Sequence, residues 1–523
     1  MELLRGRFAV MCAVLCLSLS MNLAAKDKKE SEKKAKPADQ SAHIAQIESD
    51  TIEMPGESGA VPTKLSLQQL MDAYKIPGLS VAVVDDYQIV WAKGYGVIEP
   101  GSKKPVNPHT LFQAGSISKP VAATGALALV EQGKLSLDED VNKKLTTWKI
   151  PENDFTKTEK VTLRRLMSHT GGLTVHGFPG YDVDAPMPTL VQIFNGEKPA
   201  NTAPIRVDFE PGTKSRYSGG GVTIEQQLMM DVTGKPFPAV MRETVLDKIG
   251  MNDSSYEQPL PKKRAEMTAG GAGMDGTEVH GRSHVYPEMA AAGLWTNPTD
   301  LAKFGIEIAQ SKQGKSNRVL SQKMVNEMLT PVKDDIGLGF FLDKNTPGQF
   351  SHGGVDEGFE ALFTMNAETG KGAVVMTDSA NGIAVAGMLL SRIAKEYGWA
   401  YKPPREEGSD HLYLIAMTKG TPAAEREYDE LKGQTSPDYK VDEGTLNLLG
   451  YHLLFGGKGA DAVDVFVKNT KEYPQSANAF DSLAEAYAKT GQKDLAIQNY
   501  EKSLQMNPKN TNAVEQLKKL KGQ

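Results

Sequence analysis

Cysteine is almost missing from this chain. Of its 523 residues only Cys12 and Cys16 carry thiols, and both fall within the first 25. A chain cut after that point has no disulfide to draw on, so its stability rests on a buried core. Long apolar runs are equally scarce. One extends from Phe8 to Leu23, behind Arg5 and Arg7 and ahead of Ala24-Ala25, and no second one follows. It is too short, and too closely followed by lysines, for a membrane span, and it reads as a secretory leader. The expected location is therefore the periplasm or the exterior, with the membrane involved only where the leader stays uncleaved. Neither cysteine has a small residue before it, which argues against lipid attachment. An excess of basic residues is absent too. Lys and Arg number 59 against 65 Asp and Glu, a formal charge of −6, which gives nucleic acid no footing as a partner. The glycine triplet 219–221 lacks the Gly-Lys-Ser/Thr ending of a phosphate loop. His280, His284 and Glu288 fall at four-residue spacing, but Gly281 and Pro287 break the helix that a shared metal would need. Neither metal nor cofactor is expected.

Residues 1–25 are thus the leader, and 26–60, rich in Lys, Glu, Ala, Ser and Pro, read as a disordered linker. A folded domain is expected over 61–400. Leu65–Leu70 has a helical pattern broken by Pro77-Gly78, and Leu79–Val84 and Ile89–Gly96 form a hairpin about the turn Asp85–Gln88. Helices are expected at Val161–Ser168, Thr223–Val232, Phe237–Leu246, Thr299–Ala309 and Ile383–Tyr397, with Gly219–Gly221 and Gly270-Gly271 as breaks between pieces. Strands return at Ile336–Phe341, Ala361–Asn366 and Gly372–Thr377. Strands at both ends with helices between predict an α+β domain: one antiparallel sheet flanked by helices, with a helical insertion. Residues 401–442 read as a second linker. Over 443–523, Leu449, Gly457, Ala462, Phe466 and Pro474 recur 34 residues later as Leu483, Gly491, Ala496, Tyr500 and Pro508. That is the tetratricopeptide period, and it predicts an all-α module of two helix pairs and a final helix at Thr511–Leu520. A protein partner is expected there, though the module could equally pack on the domain before it or mediate self-association.

The chemistry centres on Ser116-Ile117-Ser118-Lys119, ahead of the small-residue run Val121–Val130 that predicts a buried helix. On a helix, positions 116 and 119 share a face one turn apart. Ser116 would sit at the helix start, where unpaired N–H groups stabilise developing negative charge. Lys119, in an apolar wall, is placed to take the serine proton. Ser31-Glu32-Lys33-Lys34 matches the same Ser-x-x-Lys pattern in a lysine-rich tail with no such setting, so context separates the two.

Three stations accompany this pair. Tyr217, after the turn Pro211-Gly212 and before a helix, could relay protons at the serine; the plain alternative is a loop tyrosine bonded to backbone. His352, with Gly353 and Gly354, opens an edge strand that a substrate backbone can approach; a turn with a surface histidine is its plain alternative. His169, in Ser168-His169-Thr170-Gly171-Gly172, is expected to anchor a loop. Leu228-Met229-Met230 reads as ordinary core.

Thr110–Lys119, Gly133–Val141, Leu166–Leu173, Phe209–Ser218, Ala292-Gly293-Leu294 and His352-Gly353-Gly354 follow one another in the order of a known family. From about Leu65 to Trp399 the chain resembles the β-lactamase-related serine hydrolases, which include class C β-lactamases, D-alanyl-D-alanine carboxypeptidases, D-aminopeptidases and esterases. The resemblance implies a β-lactamase/transpeptidase-like fold with a helical subdomain. It implies Ser116 as acylated nucleophile, Lys119 as its proton acceptor and Tyr217 as second acid/base. It places His352, Gly353, Gly354 and Val355 along the substrate, with the backbone N–H groups of Ser116 and Val355 as oxyanion donors. Two departures stand out. The family's Tyr-x-Asn is Tyr217-Ser218-Gly219, without the amide, and its Lys-Thr-Gly is His352-Gly353-Gly354, without a permanent cation. Both count against β-lactam turnover and leave ester or D-amino-acid peptide hydrolysis open. The substrate is expected to be a small molecule or peptide. The alternative is a non-catalytic cell-wall peptide-binding protein on the same fold, a reading that Gly219 keeps open.

Overall fold

A computed structural model describes residues 40–54, 63–401, 408–434, 439 and 441–522. The leader at 1–25 lies outside them. The chain divides into two units: Met1–Ala42, of which only the last three residues are described, and His43–Gln523, which holds the sheet, the cleft and the C-terminal helices.

Six strands form the central sheet: β1 (Gly78–Asp85), β2 (Gln88–Gly96), β3 (Phe341–Leu342), β4 (Gln349–Asp356), β5 (Phe359–Asn366) and β6 (Gly372–Thr377). Their order is β2-β1-β6-β5-β4-β3, antiparallel throughout, so the two ends of the domain meet where β1 pairs with β6. The valine-rich β1 is buried on both faces, as a central strand of near-continuous apolar residues should be. The expected strand Ile336–Phe341 shrinks to the two residues of β3. Gly339, at φ +89°, leaves the extended region, and a side chain at Gly337 would lie 2.5 Å from the Met328 carbonyl. Because β3 pairs only with Phe350 and Ser351, the edge of β4 from His352 onward carries no outer strand among the described residues.

Helices cover both faces. Ala82 and Val84 of β1 and Phe363 of β5 face a first core, shared with α2 (Ser118–Glu131), α3 (Gly219–Thr233) and α4 (Pro298–Lys312). α2 is buried along almost its whole length. Its alanines and Gly125 admit close neighbours: a side chain at Gly125 would meet the Met241 sulfur at 2.8 Å. The triplet Gly219–Gly221, expected as a break, is instead the first turn of α3. Backbone proximity explains the glycines, since a Cβ at Gly220 would lie 2.8 Å from the Thr174 carbonyl oxygen.

Leu79, Val81 and Val83 point to a second core with α1 (Leu67–Ala73) and α5 (Gly382–Glu396). This core does not stop at residue 400. The segment 401–442, expected as a linker, carries two helices, α6 (Gly408–Lys419) and α7 (Thr421–Lys432), and Leu412 and Tyr413 are buried against the domain. The Tyr413 hydroxyl donates to the Ala73 carbonyl at 2.8 Å. Flanking Pro and Glu residues hid a short apolar run, His411–Met417, that the neighbouring domain buries. The linker expected over 26–60 also holds structure where it is described: a helix at Ser41–Ser49, and a strand at Ile52–Met54 paired with Thr63–Leu65. Beyond α7 come α8 (Glu443–Phe455), α9 (Gly459–Glu472), α10 (Ala477–Lys489), α11 (Lys493–Met506) and α12 (Thr511–Lys521). Each boundary of α8 and α9 recurs after 34 residues in α10 and α11. Leu446, Phe466 and Leu483 belong to the second core, so these helices continue the domain's interior.

Candidate active site

Ser116 lies in a single 3₁₀ turn, Gly115–Ile117, that feeds directly into α2. Lys119, one turn on, is 3 % exposed, and its ammonium donates to Ser116 Oγ at 2.8 Å and to the Ala291 carbonyl at 2.7 Å. No carboxylate of the described residues lies within 4.0 Å of it. The Ala291 carbonyl comes from a short helix, Met289–Ala292, whose small side chains allow its backbone against the serine turn. Nothing in the spacing of Ser116 and Lys119 points to this acceptor; the run Ala290–Ala292 ahead of Gly293 is its only trace in the sequence.

Strand β4 approaches the same turn backbone to backbone. Gly115 holds φ +50°, and a Cβ there would sit 2.4 Å from the Val355 nitrogen; one at Gly354 would sit 1.9 Å from the Ala114 carbonyl oxygen. Only glycines fit at this crossing. It sets the Val355 backbone against the turn that carries Ser116, and both residues line the same cleft.

Tyr217 packs its ring beside His169, 4.3 Å between centroids, and His176, 4.9 Å, with the Lys119 ammonium 5.0 Å from its own centroid. His169 is the loop anchor: its Nδ1 accepts the Ser218 N–H at 3.2 Å, and its carbonyl accepts the Arg216 N–H at 2.9 Å. Accepting at Nδ1 places the ring proton on Nε2. Burial and the Lys119 charge hold this imidazole neutral, well below the ordinary histidine range.

His352 faces the same cleft, its ring 6.3 Å from that of Tyr217 and its Nδ1 2.6 Å from the Gly353 carbonyl. Burial first, and the Lys119 charge second, bring its pKa down to about 3. It is therefore an uncharged donor or acceptor at neutral pH. Two buried acids were not foreseen. Asp356 ends β4 beside the Gly115 amide and the Tyr286 hydroxyl, and burial raises it well above the carboxylate range. Glu288 caps the helix that carries Ala291, and burial moves it up to about 8. None of their four carboxyl oxygens has a well-formed hydrogen bond among the described residues. His280 and His284 turn instead to Asp184 and Asp182, and the described residues hold no cluster of three metal-ligating side chains.

Ser116, Lys119, Tyr217, His352, Gly353, Gly354 and Val355 thus line one cleft of about 580 Å³, together with His176, Phe178, Phe341 and Ile383. A nucleophile, an adjacent amine, a phenol and two backbone donors around one open space are the parts of acyl transfer.

The Beta-lactamase family model matches residues 66–396, well over half of the chain. The chain belongs to the Beta-lactamase family. Members of this family are serine hydrolases, and the sheet and flanking helices have the β-lactamase/transpeptidase fold. A β-lactamase of Pseudomonas fluorescens is 28 % identical over 242 residues, 46 % of this chain and 62 % of its own length, so the match spans less than two thirds of that relative. Among solved structures, the octameric penicillin-binding protein homologue of Pyrococcus abyssi aligns with TM-score 0.53 and 23 % identity, over 64 % of this chain and 77 % of its own. EstCE1, described as a hydrolase with promiscuous acyltransferase activity, aligns with TM-score 0.52 and 19 % identity, over 63 % and 96 %. These two likenesses concern the fold. The matched stretch of the Beta-lactamase-family domain ends before α6.

Proposed function

We propose that this protein is an exported serine hydrolase that works through an acyl-enzyme on Ser116. The observation that carries the reading is the 2.8 Å contact between Lys119 Nζ and Ser116 Oγ, at the point where β4 crosses the serine turn. In the acylation step the Lys119 ammonium first releases a proton to solvent, and the amine so formed takes the Ser116 proton as Oγ attacks the substrate carbonyl. The oxyanion forms against the Ser116 and Val355 amides. Tyr217 donates its hydroxyl proton to the leaving oxygen or nitrogen as that bond breaks, and the proton held by Lys119 restores it. Water then attacks the acyl carbon and gives a proton to the same pair; the bond from that carbon to Ser116 Oγ breaks, Oγ takes the proton back, and the acid leaves.

An uncharged His352 and the missing amide at Gly219 favour esters or neutral D-amino-acid peptides over substrates that need a fixed cation for a carboxylate. The run Phe8–Leu23 supports export, and the 34-residue period supports a tetratricopeptide module as the seat of a protein partner. Intact-mass analysis after incubation with a fluorophosphonate, a penicillin and an activated ester, beside Ser116→Ala, tests the chemistry. An adduct on the native chain that the variant lacks is expected. A folded native chain that takes no adduct from any reagent sinks the hydrolase reading and favours the binding-protein alternative that Gly219 keeps open.

A further inference from the structure

One wall of the cleft is built from a loop that the catalytic stations do not use. Residues 174–180 lie across the start of α3 and are tied to it by backbone. Gly219 N–H donates to the His176 carbonyl at 2.9 Å and Gly220 N–H to the Val175 carbonyl at 3.1 Å, while Gly221 N–H goes to Ser218 Oγ at 3.0 Å. The first-turn amides of α3, an anion seat in other settings, are therefore already occupied. A Cβ on Gly219 would meet the His176 carbonyl oxygen and the Phe178 ring, each at 3.1 Å. The space where an amide arm would extend from position 219 is filled by the Phe178 ring, which also lines the cleft.

Other lining residues of the cleft are apolar as well. Phe341 is 37 % exposed, Val355 57 % and Ile383 37 %, and all three face this one cleft. Solvent-exposed apolar side chains converging on one concavity mark a binding surface, where isolated ones would not. Among the described residues, Lys119 is the only lysine or arginine that lines it.

We infer that Phe178 is a specificity-determining residue, one that replaces an amide arm with an apolar seat and selects neutral substrates bearing an apolar group beside the reacting carbonyl. This rests on the acyl-enzyme reading above and names its substrate class. Two additional methylenes seated against Phe178 and Phe341 should raise kcat/KM roughly tenfold. A carboxylate seated against Phe178 would lose solvation, and the one cation lining the cleft, Lys119, is already bonded to Ser116 Oγ and the Ala291 carbonyl.

The test compares p-nitrophenyl acetate, butyrate and hemisuccinate with the native chain, Phe178→Leu and Phe178→Ala. A parallel series of acetate esters with lengthening alcohols shows which end of the substrate occupies the seat. The native chain should prefer butyrate, or the longer alcohol, over acetate by roughly tenfold. Phe178→Leu should keep most of that ratio, and Phe178→Ala should bring it below about threefold. Hemisuccinate should run at least tenfold slower than butyrate on the native chain, a comparison that stands even where Phe178→Ala does not fold. Equal rates on butyrate and hemisuccinate, or an unchanged length preference in Phe178→Ala, would overturn the inference while ester turnover continued. A chain that turned over none of these esters would instead fail the acyl-enzyme reading, and this inference with it.

Discussion

Two adjacent glycines in β4 offer a controlled perturbation of the cleft, because the strand pleat sends their side-chain positions to opposite faces. At Gly353 a Cβ would meet Leu362 Cδ2 at 3.5 Å, an ordinary contact. At Gly354 it would lie 1.9 Å from the Ala114 carbonyl oxygen, about 1.5 Å inside ordinary contact, and the two nearest atoms, that oxygen and its carbon at 2.9 Å, are backbone. Gly354→Ala must therefore push β4 and the serine turn apart by about 1 Å or more, and the oxyanion amides of Ser116 and Val355 lie on those two segments. A displacement of that size costs on the order of 100-fold in rate, and loss of one oxyanion donor about 10²–10³-fold. Overpacking should also remove about 1–3 kcal/mol of stability. Burst kinetics with an activated ester, read beside thermal unfolding, separate the two effects. The expected result is Gly353→Ala within a few-fold of the native chain and Gly354→Ala lower by at least two orders of magnitude, still folded at 20 °C. Equal activity in the two variants would refute the idea that this backbone crossing builds the oxyanion site.

Other consequences are as direct. Lys119→Met keeps an unbranched apolar stem, one atom shorter, and removes the amine; acylation of Ser116 should fall about 10²–10⁴-fold, read as the rate of fluorophosphonate labelling. Glu288 sits near 8 when folded against 4.5 for the free group, so its unfolded form ionises first. Its favourable contribution is full below about pH 4.5 and is lost as pH rises toward 8. Glu288→Gln should thus lose less of its unfolding midpoint between pH 5 and pH 8 than the native chain, and an identical drop in both would contradict the burial argument. His352, near 3 when folded against 6.5 when free, destabilises progressively as pH falls from 6.5 toward 3. The pH–rate profile should accordingly show no limb near 6.5 that His352→Asn removes. Leu449→Ala in α8 should cost about 2–5 kcal/mol and lower a single calorimetric transition; a separate early transition for the C-terminal helices would show that the second core is not shared.

The parts of this fold that sequence reveals are those set by near neighbours. Ser116 and Lys119 are three residues apart on a helix announced by its own small-residue run, and the β1–β2 hairpin is bounded by its turn. The 34-residue spacing seen in the residues is also the offset between α8–α9 and α10–α11, because each helix pair carries its own crossing contacts. What escaped is tertiary. Ala291 contributes a carbonyl, which no side chain advertises. Phe178 and Phe341 become a wall only once α3 and β3 bring them to Ser116. One run of glycines misled: Gly219–Gly221 read as a break because glycine leaves helices easily, whereas here it admits the loop 174–178 against α3. Residues 408–432 read as linker because a helix whose partner lies in another part of the chain needs few apolar residues of its own.

The interior that passes from β1 and β6 through α5 and α6 into α8 and α10 also makes the whole unit a single reporter of occupancy. Whatever binds the folded C-terminal helices and not the unfolded chain must raise the melting temperature of the cleft as well. By mass action that gain is about 2.7 kcal/mol when the ligand is present at 100 times its dissociation constant. An inhibitor acylating Ser116 should in turn delay the melting of helices on the far side of the sheet. Partners of either end can then be sought with one thermal-shift assay on the intact chain, before anything is known of what they are.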